Sequence, residues 1–342
     1  MNRLRGTNIG GDNMKSRMHR IATLISSALV VSVSFCASAS SSADHYPERP
    51  VRMIVPFGPG STPDVLTRDL AGRLSKELGQ NFVVENISGA SGMVGTQAVA
   101  RSRPDGYTLL SGTVGILSVN QFLYDKIPYD IEEDFTSVSL FTTNPNVLAV
   151  PADSPFSSVQ DLVGAAKAAP DSLNYGSSGN GTSLHLAAEL LKDAAGISVA
   201  HIPYTKGVMQ DLAAGRLDFV FYHISGTVPL VDAGKVKILA VATPERFPLL
   251  PDVPTFKEEG FDNFDVSGWM GIMAPAGTPP EIIVKLEKAI GKVTSDPQWR
   301  ESLTRQGIVV VGSGPQQLDE FTKAERAKWG RLIQSNRIRL EQ

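Results

Sequence analysis

The segment that decides the fold is Val51–Asp64, which reads VRMIVPFGPGSTPD. Its first half is an apolar run interrupted by one arginine, which is typical of a strand buried in a sheet. Two glycines and the pair Thr62-Pro63 follow. Threonine is a good N-cap and proline fits the first turn of a helix, so these residues indicate a tight loop that leads into a helix. The segment therefore predicts a strand, a glycine loop and a helix N-terminus.

The same alternation of strands and helices continues along the chain. Predicted strands cover Val51–Phe57, Phe82–Ile87, Tyr107–Gly112, Val138–Pro151 (with a break near Pro145), Leu173–Gly176, Val199–Tyr204, Leu217–Tyr222, Val236–Ala242 and Ile308–Val311. Predicted helices cover residues 63–78, 94–101, 159–169 and 183–194, and the chain is mostly helical from Pro279. This alternation predicts parallel sheets covered by helices on both faces. Ligands of such sheets bind beyond the carboxyl ends of the strands, so the loops after the strands are the candidate sites.

Residues 1–43 are predicted to be a signal peptide that includes a mis-assigned N-terminal extension, since Met14 or Met18 is a more usual start. Basic residues near position 20 precede an apolar run from Ile21 to Phe35, and small residues follow, which is the order of a secretory signal. The apolar run is shorter than the roughly 20 residues that a membrane span needs. The sequence therefore predicts export to the periplasm.

Cysteine content and charge exclude several classes of protein. Cleavage removes Cys36, the only cysteine, so the mature chain has no disulfide or thiol chemistry. Lipidation of Cys36 is the alternative, but Phe35 stands before it where lipoprotein signals want a small residue. The length of 342 residues allows two domains, and the formal net charge of −3 provides no broad basic surface for nucleic acid. We expect a monomer that does not bind nucleic acid.

Loops rich in glycine and hydroxyl groups follow several of the predicted strands. We call Phe57–Asp64 the first loop and Tyr175–Ser183 the second loop; weaker examples are Gly89–Gly95 and Ser111–Gly115. Free amides and the helix dipole at such a position bind an anion without lysine or arginine. Any one of these loops alone is better explained as a capped turn without a ligand. Together they predict one polar cleft that suits a carboxylate.

Motifs of catalysis and cofactor binding are not found in the sequence. It has no phosphate-binding glycine loop with lysine, no serine nucleophile elbow and no zinc-binding helix motif. His45, His185, His201 and His223 lack the spacing of metal ligands, although His185 falls on the first turn of the helix after the second loop. Asp64 is a candidate general base, but a carboxylate at that position more often stabilises the helix dipole. We therefore predict no enzyme activity, no metal and no cofactor.

The chain resembles the receptor proteins of tripartite tricarboxylate transporters, the Bug-type periplasmic solute-binding proteins. The resemblance begins at Tyr46 and runs nearly to the C-terminus. It rests on short motifs in a fixed order: Tyr46–Val51, Ile54–Phe57, Leu78–Gln80, Val84–Asn86, Pro104–Leu109, Tyr175–Gly179, Pro203-Tyr204, Leu239–Val241, Leu250–Thr255 and Ala274–Pro279. Each motif alone is weak, and the ordered series behind a signal peptide identifies the family.

The resemblance implies an α/β fold of the two-lobed periplasmic binding protein type (type II), with the ligand in the cleft between the lobes. Lobe 1 is expected to comprise residues 44–146 and 271–342, and lobe 2 residues 147–270. Family members hold a small carboxylic acid through backbone amides, hydroxyls and waters. Carried over by position, the expected ligand-binding residues are Phe57, Gly60, Ser61 and Asp64 in the first loop, and Ser177, Ser178, Gly179, Gly181 and Thr182 in the second.

Three residues at other strand ends complete the predicted site. Thr113 follows the strand that precedes one of the weaker loops, and Tyr204 and Tyr222 are aromatic residues on which a flat ligand can stack. Core or hinge packing is the alternative for both tyrosines. Trp269 is a similar candidate at a strand end.

Two departures from the family pattern bear on the identity of the ligand. Gly60-Ser61 stands where the family usually has two glycines, and Pro63 replaces a small polar residue. The segment Thr205–Asp211 is about two residues shorter than usual. Lys206 in that segment is either a partner for a distal carboxylate or an exposed lysine in a turn.

The predicted function is therefore an extracytoplasmic receptor that delivers a di-, tri- or aromatic carboxylate to separate membrane permease subunits. One alternative is a protein that presents its ligand to the sensor of a two-component system. Another is a periplasmic enzyme that acts on an organic acid. The enzyme needs a nucleophile or base held by a second group, and no such pair is visible in the sequence.

Overall fold

The computed structural model describes residues 1, 2, 6, 45–336 and 338. The predicted signal peptide therefore lies almost wholly outside the described residues. From Tyr46 onward the chain forms one compact unit that contains both strands and helices. None of the helices in the described ranges combines the length and the apolar character that crossing a membrane requires.

The strands form one continuous, mixed sheet. Their order is β2-β1-β3-β9-β4-β7-β5-β6, and β8 and β10 also pair with β4. The strands are β1 (Val51–Val55), β2 (Phe82–Asn86), β3 (Thr108–Thr113), β4 (Phe135–Pro151), β5 (Asn174–Ser177), β6 (Ala200–Pro203), β7 (Phe219–His223), β8 (Val236–Val241), β9 (Ser267–Pro275) and β10 (Val309–Val310).

The helices lie between these strands and after them. They are α1 (Thr62–Leu78), α2 (Met93–Ala100), α3 (Asn120–Leu123), α4 (Ile131–Asp134), α5 (Val159–Ala168), α6 (Ser183–Ala195), α7 (Val208–Ala213), α8 (Ile224–Asp232), α9 (Pro280–Thr294), α10 (Pro297–Thr304) and α11 (Pro315–Ser335). Most of the predicted boundaries agree with these ranges to within about two residues.

Strand β4 joins two halves of the sheet. Its first part pairs antiparallel with β9 and β10, and its last part pairs antiparallel with β7 and β8. The parallel pairs are β1 with β2 and β3 in one half, and β5 with β6 and β7 in the other. The expectation of wholly parallel sheets is therefore wrong for the strands that connect the halves. The break expected near Pro145 is also absent, because Pro145 pairs with Ser267.

The glycine loops are held at one edge of the sheet because the helices after them are anchored in the core. Leu66, Leu70 and Leu74 recur every four residues along one face of α1 and pack in the same cluster as β1. Burial of one leucine contributes roughly 2 kcal/mol. The helix ends at Gly79, whose φ of 69° favours glycine. Together these features fix the position of the α1 N-terminus.

Candidate ligand-binding cleft

A cleft with a volume of about 740 Å³ lies where the first and second loops meet the connecting strands. Its lining comprises Phe57–Pro63, Ser91, Thr113–Gly115, Asn120, Asn144, Ser178–Leu184, Thr205, Lys206, Tyr222, His223 and Gly268–Met270. No Asp or Glu occurs among these lining residues, and Lys206 is their only Lys or Arg. The rest of the wall combines backbone, hydroxyl, amide and aromatic groups with a few apolar side chains, such as Val114, Leu184 and Met270.

The first loop is held by a buried carboxylate. Asp64 accepts the N–H of Gly60 at 2.9 Å and the side-chain amide of Asn86 at 2.8 Å, and it pairs with Arg68 at 2.9 Å. Asn86 also donates to the carbonyl of Phe57 at 2.9 Å. Burial alone raises the pKa of the Asp64 carboxyl, but the bonds from Arg68, Gly60 and Asn86 together lower it below its usual value. Asp64 is therefore an ionised support for the loop.

The residue that precedes α1 leaves the start of that helix without a side-chain cap. Ser61, and not Thr62 as predicted, is the N-cap residue, and its hydroxyl accepts no bond from the first turn. Its Oγ is buried and has no hydrogen-bond partner among the residues that the structure describes. Gly60 before it has a φ of 78°, and a Cβ added there meets nothing within 4 Å. The backbone conformation, rather than lack of space, is what requires glycine at this position.

The second loop uses its own glycine amides internally. Gly179 donates its N–H to Ser177 Oγ at 3.1 Å, and Gly181 donates its N–H to His185 Nδ1 at 3.3 Å. Thr182 donates its hydroxyl to the carbonyl of Gly179 at 2.8 Å and accepts the N–H of His185 at 3.3 Å. Thr182 is thus the N-cap of α6, as its sequence position indicates. The donors that the loop turns to the cleft are of other kinds, such as the exposed Ser178.

Two histidines, the buried His185 and the half-buried His201, lie behind the second loop. His201 Nε2 is 2.7 Å from Ser177 Oγ, and the rings of His185 and His201 stack with centroids 4.4 Å apart. Tyr175 also stacks on His201, with centroids 4.7 Å apart, and donates its hydroxyl to Glu189 at 2.6 Å. Burial lowers the pKa of both histidines to about 4. Both rings are therefore neutral at physiological pH.

Strands β4, β7 and β9 contribute polar and aromatic residues to the cleft that the sequence patterns did not single out as a group. Asn144 on β4 and His223 at the end of β7 line the cleft, and Asn144 Oδ1 and His223 Nδ1 have no hydrogen-bond partner within the described chain. Burial lowers the pKa of His223 to about 4, and a bond to the backbone of Asn144 offsets part of this shift. Trp269 donates its indole N–H to Glu325 on α11 at 2.9 Å, which fixes the ring in the wall.

The structure brings most of the predicted site residues together and sets three of them apart. Phe57, Gly60, Ser61, Thr113, Ser178, Gly179, Gly181, Thr182 and Tyr222 line the cleft. Asp64 and Ser177 lie behind the two loops as their supports, and Tyr204 donates its hydroxyl to Asp211 at 2.8 Å instead of lining the cleft. Direct contact with a ligand stays a prediction for all twelve residues. Asn120, Asn144 and His223 are lining residues that the motifs did not indicate.

The part of the chain that the structure describes shows no metal site. Among residues 45–336, no group of three or more His, Cys, Asp or Glu side chains is arranged to hold a metal. The cleft instead suits an organic anion, because helix N-termini and hydroxyl groups line it and none of its lining residues carries a carboxylate.

Sequence comparison places these features among related receptors. A family model described as "Tripartite tricarboxylate transporter family receptor" matches residues 66–338. A curated relative from Pseudomonas sp. (strain P51), the UPF0065 protein in the tcbD-tcbE intergenic region, is 37% identical over 302 residues. That match covers 87% of this chain and 90% of the relative.

Two solved structures are similar over almost their whole length. R. palustris Rpa4515 with adipate has 36% sequence identity and a TM-score of 0.80, and the match covers 86% of this chain and 100% of that one. MatC from Rhodopseudomonas palustris with bound malate has 31% identity and a TM-score of 0.76, with 84% and 100% coverage. These matches confirm the two-lobed α/β fold that the sequence predicts. The boundaries between the lobes, after residues 146 and 270, stay predictions.

Proposed function

The chain belongs to the tripartite tricarboxylate transporter receptor family, as its sequence predicts, and we propose that it captures a small organic carboxylate in the periplasm. The ligand binds in the cleft between the first and second loops. The receptor then delivers it to separate membrane permease subunits. Closure of the two lobes around the anion shifts the equilibrium toward the form that docks on the permease.

The observation that carries this proposal is the charge distribution of the cleft. Its described lining contains no Asp or Glu, one lysine, and the N-terminal ends of α1 and α6. A helix N-terminus carries a partial positive charge and unpaired amide donors, which favour an anion. Lys206 is exposed on the lining and supplies the one full positive charge for a second carboxylate. The cleft therefore favours an acid over a neutral or cationic solute.

The related structures support a dicarboxylate as the first candidate. The ligands named for Rpa4515 and MatC, adipate and malate, each carry two carboxylates. One carboxylate at the α1 N-terminus and the other at Lys206 would use both positive features of the cleft. Pro63 and the short segment after Tyr204 distinguish this chain from the family pattern and bear on which acid fits.

The enzyme alternative receives little support from a hydrogen-bonded serine–histidine pair that lies near the cleft. Ser177 Oγ lies 2.7 Å from His201 Nε2, as in a nucleophile and its base. However, Ser177 is fully buried, and its oxygen already accepts the N–H of Gly179. A substrate in the cleft does not reach this hydroxyl, so we propose that the protein releases its ligand unchanged.

The first test is a thermal-shift screen of the mature protein, starting at Asp44 and stripped of ligand by unfolding and refolding. The panel contains aliphatic di- and tricarboxylates, aromatic carboxylates, acidic amino acids and the matched neutral amides. A ligand at one hundred times its Kd stabilises the fold by about 2.7 kcal/mol, which raises Tm by several degrees. We expect a shift with an acid and none with its amide. A panel in which no acid shifts Tm would refute carboxylate binding.

Uptake measurements separate transport from ligand presentation. In cells that lack the gene, uptake of the identified acid should fall to background and return when the gene is restored. If uptake is unchanged while the transcriptional response to the acid disappears, the sensor alternative replaces the transport receptor.

A further inference from the structure

The two histidines behind the second loop make contacts that ligand binding as proposed does not require. His185 accepts the N–H of Gly181 directly. His201 acts through Ser177, whose hydroxyl bonds to the ring and accepts the N–H of Gly179. Each histidine therefore fixes the direction of one glycine amide in the loop that lines the cleft.

These contacts require His185 to be neutral. A nitrogen that accepts a hydrogen bond carries a lone pair, so the proton of His185 belongs on Nε2, which lies 4.0 Å from Glu189 Oε1. In the charged ring, both nitrogens are donors. The Nδ1–H of a charged His185 would then oppose the N–H of Gly181, and the loop would lose this contact.

The stack between the rings adds a second reason for neutrality. His185 on α6 and His201 on β6 are 4.4 Å apart at their centroids, so two imidazolium charges would repel each other at close range. The other ionisable groups that face the pair are Tyr175 on β5 and Glu189 and Lys192 on α6.

The carboxylate next to the histidines, Glu189, already has partners of its own. Lys192 Nζ is 2.7 Å from Glu189 Oε1, and Tyr175 donates its hydroxyl to the same oxygen at 2.6 Å. Burial raises the pKa of Glu189, but these bonds lower it below its usual value, so the carboxylate is ionised and paired. Lys192 therefore offsets part of the attraction of this carboxylate for a proton on either ring, and burial of the rings outweighs the rest.

We propose that His185 and His201 are positioning residues for the ligand: as a neutral stacked pair they fix the second loop, and acid that charges His185 releases the loop and the ligand. This inference depends on the proposed function for its ligand. Because the pKa values of both histidines are about 4, we expect the loss of affinity for the ligand below about pH 5.

The test compares wild type with the double variant His185→Asn/His201→Gln. Asparagine places an acceptor near the position of Nδ1, and glutamine places a polar group near Nε2, but neither titrates. At pH 7.5 we expect the double variant to bind the acid with a Kd within about threefold of wild type. Relative to the double variant, wild type should lose about twofold more affinity at pH 4, where a group with a pKa of about 4 is half protonated, and about tenfold more at pH 3, one pH unit lower.

The controls separate the histidine pair from other effects of acid. Protonation of the ligand weakens binding equally in both proteins, so it cancels in the comparison. His45→Gln changes an exposed histidine and should keep the wild-type profile. His185→Leu removes the acceptor and should weaken binding at pH 7.5 by more than about tenfold. Coincident pH profiles for wild type and the double variant would overturn the proposal.

An NMR titration tests the same contacts without a ligand. In wild type, the amide signals of Gly179 and Gly181 should shift with the titration curve of the histidine Cε1 protons, and in the double variant this shift should be absent. Amide signals that do not follow the histidine curve would refute the positioning role. If wild type binds no acid at pH 7.5, the proposed function is refuted. The NMR titration, which needs no ligand, then still decides whether the histidines position the second loop.

Discussion

The first and second loops have nearly the same sequence pattern, but the structure holds them by opposite electrostatic means. Both follow a parallel strand, contain glycines with positive φ and lead into a helix. Asp64 supports the first loop as an ionised carboxylate that accepts three donors. His185 and His201 support the second loop as neutral rings. A glycine loop in a sequence therefore predicts an anion site without predicting what keeps the loop in place.

Asp64 and the histidine pair respond differently to acid, although the pKa values of Asp64, His185 and His201 are all lowered. For a carboxylate, a lowered pKa favours the charged form, so Asp64 keeps its contacts down to pH values below its usual pKa. For a histidine, a lowered pKa favours the neutral form, and protonation of His185 removes its hydrogen bond from Gly181. As the pH falls, we expect the second loop to lose its support before the first.

The largest expected effect is the loss of stability between pH 6.5 and 4. In this window the unfolded chain binds protons on His185, His201 and His223, while the folded protein, with pKa values of about 4, does not. The free energy of unfolding therefore falls as the pH falls, by several kcal/mol in total, with a smaller share from the partly exposed His201. Urea denaturation at steps of half a pH unit measures this slope.

The matched comparison for this slope is again His185→Asn/His201→Gln. Because the variant lacks two of the three titrating rings, its stability should depend less steeply on pH in this window. The loss that belongs to Asp64 should appear only below about pH 4, in both proteins alike. Equal slopes for the two proteins above pH 4 would show that the histidine pair does not oppose protonation.

The next effect in size is that of Asp64→Ala, which removes the support of the first loop. The change leaves the N–H of Gly60 and the side chains of Asn86 and Arg68 without their acceptor. Loss of a buried, charged partner of this kind costs about 3 kcal/mol. Chemical denaturation at pH 7.5 measures the change, and carboxylate binding should weaken as well, because the loop is no longer fixed.

An exposed pair of the same kind provides the control. Glu301 and Arg305 also form a carboxylate–arginine pair four residues apart on a helix, but both side chains are about two-thirds exposed. Glu301→Ala should therefore cost less than about 0.5 kcal/mol. If the two alanine variants lose similar stability, Asp64 does not support the first loop.

Local sequence was sufficient to predict the loops but not the contacts behind them. The series VRMIVPFGPGSTPD specifies a strand, a turn and a helix start with residues that are neighbours in the chain, and the structure begins α1 at Thr62. His185 and His201 lie on a helix and a strand that meet only after the second half has folded. Sequence position marked His185 as a candidate, but no spacing rule indicates a stack with His201.

Strand β9 was missed for a related reason. Its sequence, SGWMGIMAP, has no alternation of apolar and polar residues, because eight of its nine positions are buried. Its partners β3 and β4 are more than a hundred residues away in the chain. The predicted parallel sheets were derived from neighbouring strand–helix units, and a long-range antiparallel connection leaves no local pattern.

The smallest expected effects come from the two hydroxyl residues at the helix starts, and they sharpen the contrast between the loops. Thr182 caps α6 with both a donated and an accepted bond, so Thr182→Val should cost about 1 kcal/mol. The Ser61 hydroxyl is buried and has no partner in the described structure, so Ser61→Ala should leave stability unchanged or slightly higher.

Ligand binding then separates structural from recognition roles for the same two residues. If the Ser61 hydroxyl contacts the acid, Ser61→Ala should weaken binding by roughly 1.5–3 kcal/mol, the value of a hydrogen bond to a charged group, while stability is preserved. Calorimetric titration of both variants at pH 7.5 gives the comparison. Unchanged affinity in Ser61→Ala would assign anion binding at the first loop to its backbone alone. In that case, the Ser61 hydroxyl does not contribute to recognition of the acid.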